Sequence, residues 1–444
     1  MTIDETPKVA VIGLGYVGLT LGVALARRGV TVYGIEKRQE VVDLTNRGIP
    51  HFSEIGLDSA LEDVIARKRF FASQTTDDIP EAQYYVITVG TPLKAGTYEP
   101  RLDMIEEASR QVAAHMPDGA TVILRSTVRI GTTCGIVKPV LEQSGKRFHL
   151  AMCPERTLEG DALRELTTLP QIIGGMTESA ADFASALFSR LTHTIVRVSD
   201  PETAEMIKLV DNTSRDVRFA FANEVARACD ALGINANDVI RFGKLGYSRT
   251  DVAAPGLVGG PCLEKDPHIL MASVAPKGVS LGITAASRGV NEGQPAETVA
   301  AVLAKLKERK AGPFNVLLAG IAFKGRPETD DLRGSMSLHV LDQLIASGEC
   351  GTIKLYDKVT PVEHLKALPH DVEVVTDFYE GCSGADLVII ANNHPVFAGI
   401  QADRVIGLLA PGGLIYDYWN NLSQQPPEVL DGHYLTVGNL AGKY

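Results

Sequence analysis

The chain has 444 residues, 45% of them hydrophobic and 22% charged, and its formal net charge is −11. These proportions are those of a soluble globular protein and exclude general disorder, while the acidic balance argues against nucleic-acid binding. There is no uninterrupted apolar run of about 18 residues that could span a membrane. The polar start Met1-Thr2-Ile3-Asp4 is unlike a signal peptide, so we expect a cytoplasmic protein with six free cysteines and no metal site.

The first forty residues carry a glycine pattern. Two short apolar strands, 8–12 and 31–35, enclose a G-x-G-x-x-G turn that opens a helix. Such glycines allow close backbone approach, and the helix N-terminus offers free N–H groups to a pyrophosphate, so we predict a dinucleotide site. The alternative is an ordinary glycine turn. The residues expected at the cofactor are Gly13, Gly15, Tyr16, Val17 and Gly18.

Cofactor choice depends on the residue that ends the second strand, Glu36. A carboxylate there accepts hydrogen bonds from the adenosine ribose and disfavours a 2′-phosphate, which predicts NAD rather than NADP. The next two residues, Lys37 and Arg38, are cations that could bind the 2′-phosphate and therefore favour NADP.

Further apolar strands alternate with helical segments, which predicts a parallel, doubly wound sheet. Thr91 and Thr127 lie in loops that follow two of these strands, where hydroxyls can contact cofactor or substrate or simply stabilise turns. The predicted strands are 84–89, 121–124, 149–152 and 194–198.

From residue 201 the pattern becomes helical. Residues 202–232 have the spacing of one helix long enough to bridge two domains, with Lys208 and Asn212 four apart on one face. From this spacing alone, we would interpret the helix face that carries Lys208 and Asn212 as a solvent-exposed polar surface. A second helical stretch continues to about residue 309, and Ala311-Gly312-Pro313 marks a boundary.

After this boundary the strand–helix alternation restarts, so the fold class is α/β with two Rossmann-like, doubly wound parallel sheets joined by a long central helix and a helical connector. The second set of predicted strands is 315–319, 352–356, 372–375, 387–391 and 414–416. The predicted domains are 1–200, 201–311 and 312–444.

A second pattern that indicates a reactive site lies at 259–267, with the sequence Gly259-Gly260-Pro261-Cys262-Leu263-Glu264-Lys265-Asp266-Pro267. We predict an irregular, tightly packed loop in which Cys262 lies just ahead of a helix that Asp266 caps. A helix start and Lys265 nearby both favour a thiolate. A buried structural cysteine is the alternative, and the local pattern alone favours it.

Several motifs occur in an order that resembles the UDP-glucose/GDP-mannose dehydrogenase family of nucleotide-sugar 6-dehydrogenases, nearly from end to end of the chain. They are GLGYVG at 13–18, VGTP at 89–92, STV at 126–128, CPER at 153–156, K-x-x-x-N at 208–212, GGPCLEKD at 259–266 and FKGRPETDDLR at 323–333.

The resemblance implies a four-electron oxidation of a sugar C6 alcohol to a uronate, with two NAD⁺ consumed in turn. Cys262 would capture the aldehyde and carry a thioester, Lys208 would steady oxyanions, and Asn212 would fix the sugar. Asp266, with Thr127 or Glu155, would hold or activate the water that releases the product.

The resemblance also implies a UDP-sugar substrate and a homodimer formed through the central helix. The predicted substrate-binding residues, beyond those named for catalysis, are Arg156, Arg249, Gly259, Lys324 and Arg333. Of these, Lys324 and Arg333 would bind the diphosphate, and Arg249 would reach a neighbouring subunit's site.

The chain departs from the family pattern in three places. The glycine stretch 255–260 is one residue shorter than the usual PGxGxGG, which affects the alignment of Arg249. Pro261 stands in place of a common serine or histidine, and Glu36 in place of the usual aspartate. Cys153-Pro154-Glu155-Arg156 is similar to the branch that acts on UDP-N-acetylhexosamines, whereas Lys265-Asp266 is closer to the UDP-glucose pattern. We favour UDP-N-acetylmannosamine or its gluco epimer, with UDP-glucose or GDP-mannose as alternatives. A hydroxyacid-type dehydrogenase and a non-catalytic nucleotide-sugar binder are the competing classes.

Overall fold

The computed structural model describes residues 6–94 and 97–444. The polar N-terminal residues compared above with a signal peptide lie outside the described part. The chain forms two compact units, the first made of 1–211 with 268–280 and the second of 212–267 with 281–444. The range 201–311, predicted as a central domain, contributes residues to both units.

The first unit contains, in its described residues, an eight-stranded sheet of order β3-β2-β1-β4-β5-β6-β7-β8. All neighbours are parallel except β6 and β7. The strands are β1 (Lys8–Ile12), β2 (Thr31–Ile35), β3 (Phe70–Ser73), β4 (Tyr84–Ile87), β5 (Ala120–Leu124), β6 (Phe148–Met152), β7 (Gln171–Gly175) and β8 (Ile195–Val198).

The antiparallel pair corrects the prediction of a fully parallel first sheet. Met152 pairs with Gly174 and Ala151 with Gly175, so β7 starts at the end of the sheet where β6 finishes. The connection 153–170 therefore does not cross back along the sheet, and β7 runs in the opposite direction to β6.

Helices cover both faces of this sheet, because alternate residues of a strand enter different cores. Val9 and Val11 lie in one buried apolar cluster, and Ala10 and Ile12 lie in another. The helices of the first unit are α1 (Tyr16–Arg27), α2 (Gln39–Asn46), α3 (Leu57–Ala66), α4 (Asp103–His115), α5 (Lys138–Glu142), α6 (Ala162–Thr168) and α7 (Glu178–Phe188).

The predicted long helix is α8 (Pro201–Leu232), whose residues are divided between the two units. It is followed by α9 (Ala236–Gly243), α10 (Gly260–Leu263), α11 (Asp266–Val274) and α12 (Gly282–Lys307). None of the helices within the described residues combines the length and apolar composition needed to cross a bilayer.

The second unit contains, among the described residues, a six-stranded parallel sheet of order β11-β10-β9-β12-β13-β14. Its strands are β9 (Phe314–Ala319), β10 (Cys350–Tyr356), β11 (Glu373–Val374), β12 (Leu387–Ile390), β13 (Leu414–Asp417) and β14 (Tyr434–Thr436). Its outer helices are α13 (Met336–Ala346), α14 (Val362–Lys366), α15 (Phe378–Cys382), α16 (Pro395–Ala398), α17 (Ala402–Leu408) and α18 (Pro427–Leu430). The predicted two-sheet α/β fold is confirmed.

Trp419, the single tryptophan, follows β13 in this second unit. Its indole Nε1 donates to the carbonyl of Ala391 at 3.0 Å. The backbone of Gly256 packs so closely on the indole that a methyl group there would lie 3.0 Å from ring atoms.

Candidate active site

The strand order of the first sheet reverses between β1 and β4, and the glycine turn follows β1 at that point. In doubly wound sheets, ligands bind in the crevice outside the carboxyl ends of the strands at this reversal. The predicted cofactor residues therefore occupy the expected crevice.

The geometry of the turn fits a dinucleotide. A Cβ on Gly18 would lie 1.8 Å from the carbonyl oxygen of Gly13, so only glycine lets α1 start this close to the turn. A Cβ on Gly15 would meet no atom within 4 Å, which means that its backbone faces open space. Val17 lies half-buried in the first turn of α1, whose N-terminus has no side-chain cap, so its free N–H groups can bind a phosphate.

Glu36 stands at the end of β2 with its side chain 12% exposed. Its carboxylate accepts the backbone N–H of Leu14 at 3.2 Å and the Nε of Arg38 at 3.1 Å. Burial acts to raise the pKa of Glu36, but the hydrogen bonds and charge of Arg38 outweigh it and the pKa lies below its usual value. Glu36 is therefore an ionised acceptor beside the glycine turn, and Arg38 is already paired with it.

The loop after β4, which contains Thr91, contacts the loop after β5, which contains Thr127. The hydroxyl of Thr91 donates to the carbonyl of Thr127, and that of Ser126 donates to the carbonyl of Val89 at 2.6 Å. The side chain of Thr91 is used in this contact, while Thr127 stays half-buried.

Tyr16 has a packing role that its motif does not reveal. Its hydroxyl donates to the buried carboxylate of Glu54 and accepts the N–H of Gly160 at 2.9 Å. Glu54 also accepts the N–H of Ala162 at 2.8 Å. This carboxylate connects the glycine turn to the segment after β6, and sequence reasoning missed it because nothing in its local pattern distinguishes it from a surface glutamate.

Glu155 lies in that segment and is buried. Its Oε2 accepts Nε and Nη2 of Arg125 at 2.9 and 2.7 Å, and its Oε1 accepts the N–H groups of Arg156 and Thr157 at 2.7 and 2.9 Å. Burial acts to raise its pKa, yet the charge of Arg125 and these bonds hold the pKa below the ordinary value, with a contribution from Lys208. Arg125 is a second residue that the sequence analysis missed.

The amino-terminal part of α8 provides two further predicted groups. Lys208 is buried, with 7% of its surface exposed, and its charge acts on Glu155. Arg156 donates from Nε to Asp211 at 2.9 Å. Lys208, Glu155 and Arg156 are thus brought together within the first unit.

In the second unit, Cys262 lies inside the one-turn helix α10, so the prediction of an irregular loop at this position is wrong. Pro261 explains the difference, since proline is favoured at the first positions of a helix. The predicted helix start at Asp266 is confirmed, because α11 begins there. All six cysteines are in the described part of the chain, and only Cys262 is exposed. Burial raises the pKa of the other five thiols above the ordinary cysteine value. For Cys134, Cys153 and Cys382 the pKa reaches about 12.

Asp266 is fully buried at the start of α11 and is the centre of a polar network. It accepts Nδ2 of Asn212 at 2.6 Å and Nζ of Lys265 at 2.8 Å. Burial acts to lower the pKa of Lys265, but the negative charges of Asp266 and the Cys262 thiolate raise it above its usual value. Lys265 therefore remains a cation beside Asp266, and Cys262 is one of the groups whose charge acts on it.

The turn that carries Cys262 packs on the segment 323–334, which contains the predicted diphosphate ligands. Gly259 lies directly against the carbonyl of Gly334, and the N–H of Gly260 donates to that carbonyl at 2.7 Å. Lys324 lies 5.2 Å from the ring centroid of Phe323. Arg333 is mostly exposed, pairs with Asp331, and its charge acts on Lys265.

Arg249 lies apart from these contacts. It is exposed, and its guanidinium stacks over the ring of Tyr247 at 5.5 Å. Its role in a neighbouring subunit stays a prediction.

A glycine turn at the switch point of a doubly wound sheet, with an ionised carboxylate beside it, is the arrangement of a dinucleotide-binding protein. Three family descriptions match the chain: the NAD binding domain of the UDP-glucose/GDP-mannose dehydrogenase family over 7–192, its central domain over 202–293 and its UDP binding domain over 317–424.

Individual proteins agree with this match. The UDP-N-acetyl-D-mannosamine dehydrogenase of Campylobacter jejuni is 32% identical over 91% of this chain and 99% of its own length. The solved UDP-D-ManNAc dehydrogenase of Pyrococcus horikoshii is 30% identical, with a TM-score of 0.86 over 98% of this chain and 100% of that one. The solved UDP-glucose dehydrogenase of Pyrobaculum islandicum is 26% identical, with a TM-score of 0.85 over 96% and 97%.

The chain belongs to the UDP-glucose/GDP-mannose dehydrogenase family. It is an NAD-dependent nucleotide-sugar dehydrogenase, an oxidoreductase, so the predicted family, enzyme class and cofactor are confirmed.

Proposed function

We propose that the enzyme oxidises the C6 alcohol of a UDP-N-acetylhexosamine to the uronate, using one water and reducing two NAD⁺. The cofactor supplies a hydride acceptor twice, once at the alcohol and once at the thiol adduct. The product would be a nucleotide-activated uronic acid for surface polysaccharide precursor synthesis.

The observation that carries the proposal is an exposed cysteine beside a buried Asn212–Asp266–Lys265 network. The thiolate of Cys262 adds to the C6 aldehyde and gives a thiohemiacetal, whose oxidation leaves a thioester. Water then attacks the thioester carbonyl, the carbon–sulfur bond breaks, and the thiolate is regenerated. The other thiols have raised pKa values and would be poor nucleophiles at neutral pH.

The charged groups take roles that their contacts support. Lys208 acts on Glu155 within the first unit, and the family resemblance supports assigning to it the oxyanion that develops as the thiol adds and as water attacks. Asp266 orients the attacking water while Asn212 and Lys265 hold its carboxylate in place. The hydroxyl of Thr127, in the loop joined to Thr91, is a further hydrogen-bonding group for water or substrate.

Recognition of the nucleotide follows from the packing of α10 on the segment 323–334. Lys324 and Arg333 supply positive charge for a diphosphate in a protein of net charge −11. Gly259 and Arg156 would line the sugar side. UDP-N-acetylmannosamine is favoured because the relatives named for it are similar over nearly the whole chain, and UDP-glucose is the alternative because a solved UDP-glucose dehydrogenase shares the fold.

We also propose a homodimer formed through α8 and the helix that follows it. Large apolar side chains in this part of the second unit are exposed, including Phe221, Leu232, Phe242 and Leu245, the last at 79%. Exposed apolar patches of this kind mark association surfaces. A reducing cytoplasm suits an enzyme whose exposed cysteine must stay a thiol.

The test is the ratio of NADH formed to UDP-sugar consumed, measured with UDP-ManNAc, UDP-GlcNAc, UDP-glucose and GDP-mannose. A ratio of two with the highest kcat/KM for UDP-ManNAc is expected. A ratio of one would indicate an ordinary alcohol dehydrogenase, and no NADH would indicate a binding protein. A higher kcat/KM for UDP-glucose would contradict the proposed substrate and make UDP-glucose the substrate. Sedimentation at catalytic concentrations tests the dimer, and a monomer would contradict it.

A further inference from the structure

Glu54 lies in the segment between α2 and α3, and only 4% of its surface is exposed. Its carboxylate accepts hydrogen bonds from the hydroxyl of Tyr16 and from the N–H groups of Gly160 and Ala162, the last two at 2.7 and 2.8 Å. None of these donors carries a charge. Because a buried carboxylate is costly unless its oxygens are hydrogen-bonded, the three partners are held at fixed positions around Glu54.

Tyr16 joins this carboxylate to the cofactor crevice. It is the first residue of α1, whose N-terminus has no side-chain cap, so the N–H groups there are available to the dinucleotide phosphates. The ring of Phe52, two residues before Glu54, lies 5.0 Å from the Tyr16 ring between centroids. Burial and the neighbouring Glu54 raise the pKa of Tyr16 far above its ordinary value, so the hydroxyl keeps its proton and remains a donor at physiological pH.

The other two bonds of Glu54 reach residues 160–162, in the segment after β6. Gly160 has φ of +88°, a conformation that favours glycine, and its N–H donates both to Glu54 and to the hydroxyl oxygen of Tyr16, the latter at 2.9 Å. Ala162 is the first residue of α6, whose N-cap residue makes no side-chain hydrogen bond. Glu54 therefore supplies, from a distant part of the chain, the acceptor that the start of α6 lacks.

One carboxylate thus connects the residue that opens the dinucleotide helix with the segment that also carries Arg156, which we assign to the sugar side. A dinucleotide phosphate bound at α1 would fix Tyr16, and through it Glu54 and the segment 160–162. A nucleotide sugar that binds an ordered segment loses less conformational entropy, which raises its affinity. Because coupling between two sites is reciprocal, the nucleotide sugar would raise the affinity for NAD by the same factor.

We propose that Glu54 is a positioning residue that couples the two binding events. It fixes the segment after β6 to the NAD-binding turn, so that NAD and the nucleotide sugar each raise the enzyme's affinity for the other. This inference rests on the proposed function, because it takes the segment 156–162 to lie beside the bound nucleotide sugar.

The coupling is measured with NADH, which cannot accept a hydride, so that its complex with UDP-ManNAc does not react. Fluorescence titrations of NADH without and with saturating UDP-ManNAc give a ratio of two Kd values. We expect a ratio of at least about fivefold in wild type and below about twofold in Tyr16→Phe, which keeps the ring but loses the bond to Glu54. The affinity of Tyr16→Phe for NADH alone should stay within about threefold of wild type, because the N–H groups of α1 remain.

Tyr85→Phe is the matched control. Tyr85 is also a buried tyrosine of the first unit, in the first half of β4, and its hydroxyl accepts the N–H of Ala82 at 3.2 Å and contacts Nδ1 of His115 at 2.8 Å. This variant should lower the thermal unfolding midpoint about as much as Tyr16→Phe does, since each loses one hydroxyl, and keep the wild-type ratio. An equal loss of the ratio in both variants would overturn the proposal, and so would a wild-type ratio near one.

Glu54→Gln gives a second, independent measurement. In either orientation of the amide, its NH₂ group faces the N–H of Gly160 or of Ala162, so at least one of these bonds is lost. We expect kcat/KM for the UDP-sugar to fall at least about tenfold. The double variant with Tyr16→Phe should lose no more of the coupling than Glu54→Gln alone, because both changes break the same connection, and additive losses would contradict the proposal.

The outcomes separate Glu54 from the proposed substrate. Should Glu54→Gln not fold, the comparison of Tyr16→Phe with Tyr85→Phe decides by itself. Wild-type enzyme that oxidises UDP-glucose but not UDP-ManNAc would refute the proposed substrate, and the same Kd ratios measured with UDP-glucose would still support or overturn the role of Glu54.

Discussion

Replacing Gly260 by alanine should damage both the second unit and the chemistry of its turn. The residue has φ of +85°, and a Cβ would lie 2.4 Å from Cδ2 and 2.6 Å from Cε2 of Phe323. The left-handed conformation costs about 1–2 kcal/mol for an L-residue, and forcing extra atoms into a packed site costs about 1–3 kcal/mol. We therefore expect Gly260→Ala to lose about 2–5 kcal/mol of local stability.

The assay is urea denaturation followed by circular dichroism, together with steady-state NADH formation. Because Cys262 is two residues along the same turn, a shift of about 1 Å there should cost about a hundredfold in kcat. Gly282→Ala is the matched control, since α12 begins at Gly282 and a Cβ there meets no atom within 4 Å. It should be neutral or slightly stabilising.

A double-mutant cycle with Phe323→Leu divides the effect into its two causes. The smaller side chain relieves the overlap but not the backbone strain, so Gly260→Ala in that background should recover about 1–3 kcal/mol. Wild-type stability and turnover in Gly260→Ala would refute the reasoning, as would a double mutant that recovers nothing.

Three further outcomes test the site. Cys262→Ser should still bind NAD⁺ and UDP-sugar but lose at least about a thousandfold in uronate formation, whereas the control Cys350→Ser keeps its turnover; equal rates for Cys262→Ser and wild type would exclude a covalent role. Because Glu36 is an ionised acceptor, NAD⁺ should exceed NADP⁺ at least about tenfold in kcat/KM, and equal use of the two would show that its carboxylate does not select. Lys324→Ala and Arg333→Ala should chiefly raise KM for the UDP-sugar, and a collapse of kcat at constant KM would move these residues into the chemistry.

Regular periodicity made most of the fold predictable. The strand 8–12 and the long helix 202–232 match the structure within a residue because their apolar spacing is continuous. The strands β3 and β14 escaped prediction because they have only four and three residues, which is too short for a periodic pattern to stand out. The strand β7 was not among the predicted strands either. Its antiparallel direction could not have been predicted, because strand direction depends on the path of the connection and not on composition.

The site was predictable where a residue acts through a motif and unpredictable where it acts through a distant partner. Glu36 ends the second strand of a βαβ unit that contains the glycine turn, and Cys262 follows Gly259-Gly260-Pro261 directly in the sequence. Arg125 and Glu54 resemble surface charges in the sequence, and only the fold reveals that each is buried among donors or acceptors from segments up to 108 positions away. Lys265, noted beside the cysteine, gains its importance from Asp266 being turned inward.

The fluorescence of Trp419 can report on the state of the second unit without an added label. Since this indole is the only one in the chain and lies within the second unit, tryptophan emission reports the opening of that unit alone, whereas circular dichroism averages over both. Coincident urea transitions by the two signals would show that the units unfold cooperatively, and separated transitions would give each unit its own free energy of unfolding. The indole also touches Gly256, six residues before Cys262, so nucleotide-sugar binding that alters this stretch should be visible as a change in emission without any added label.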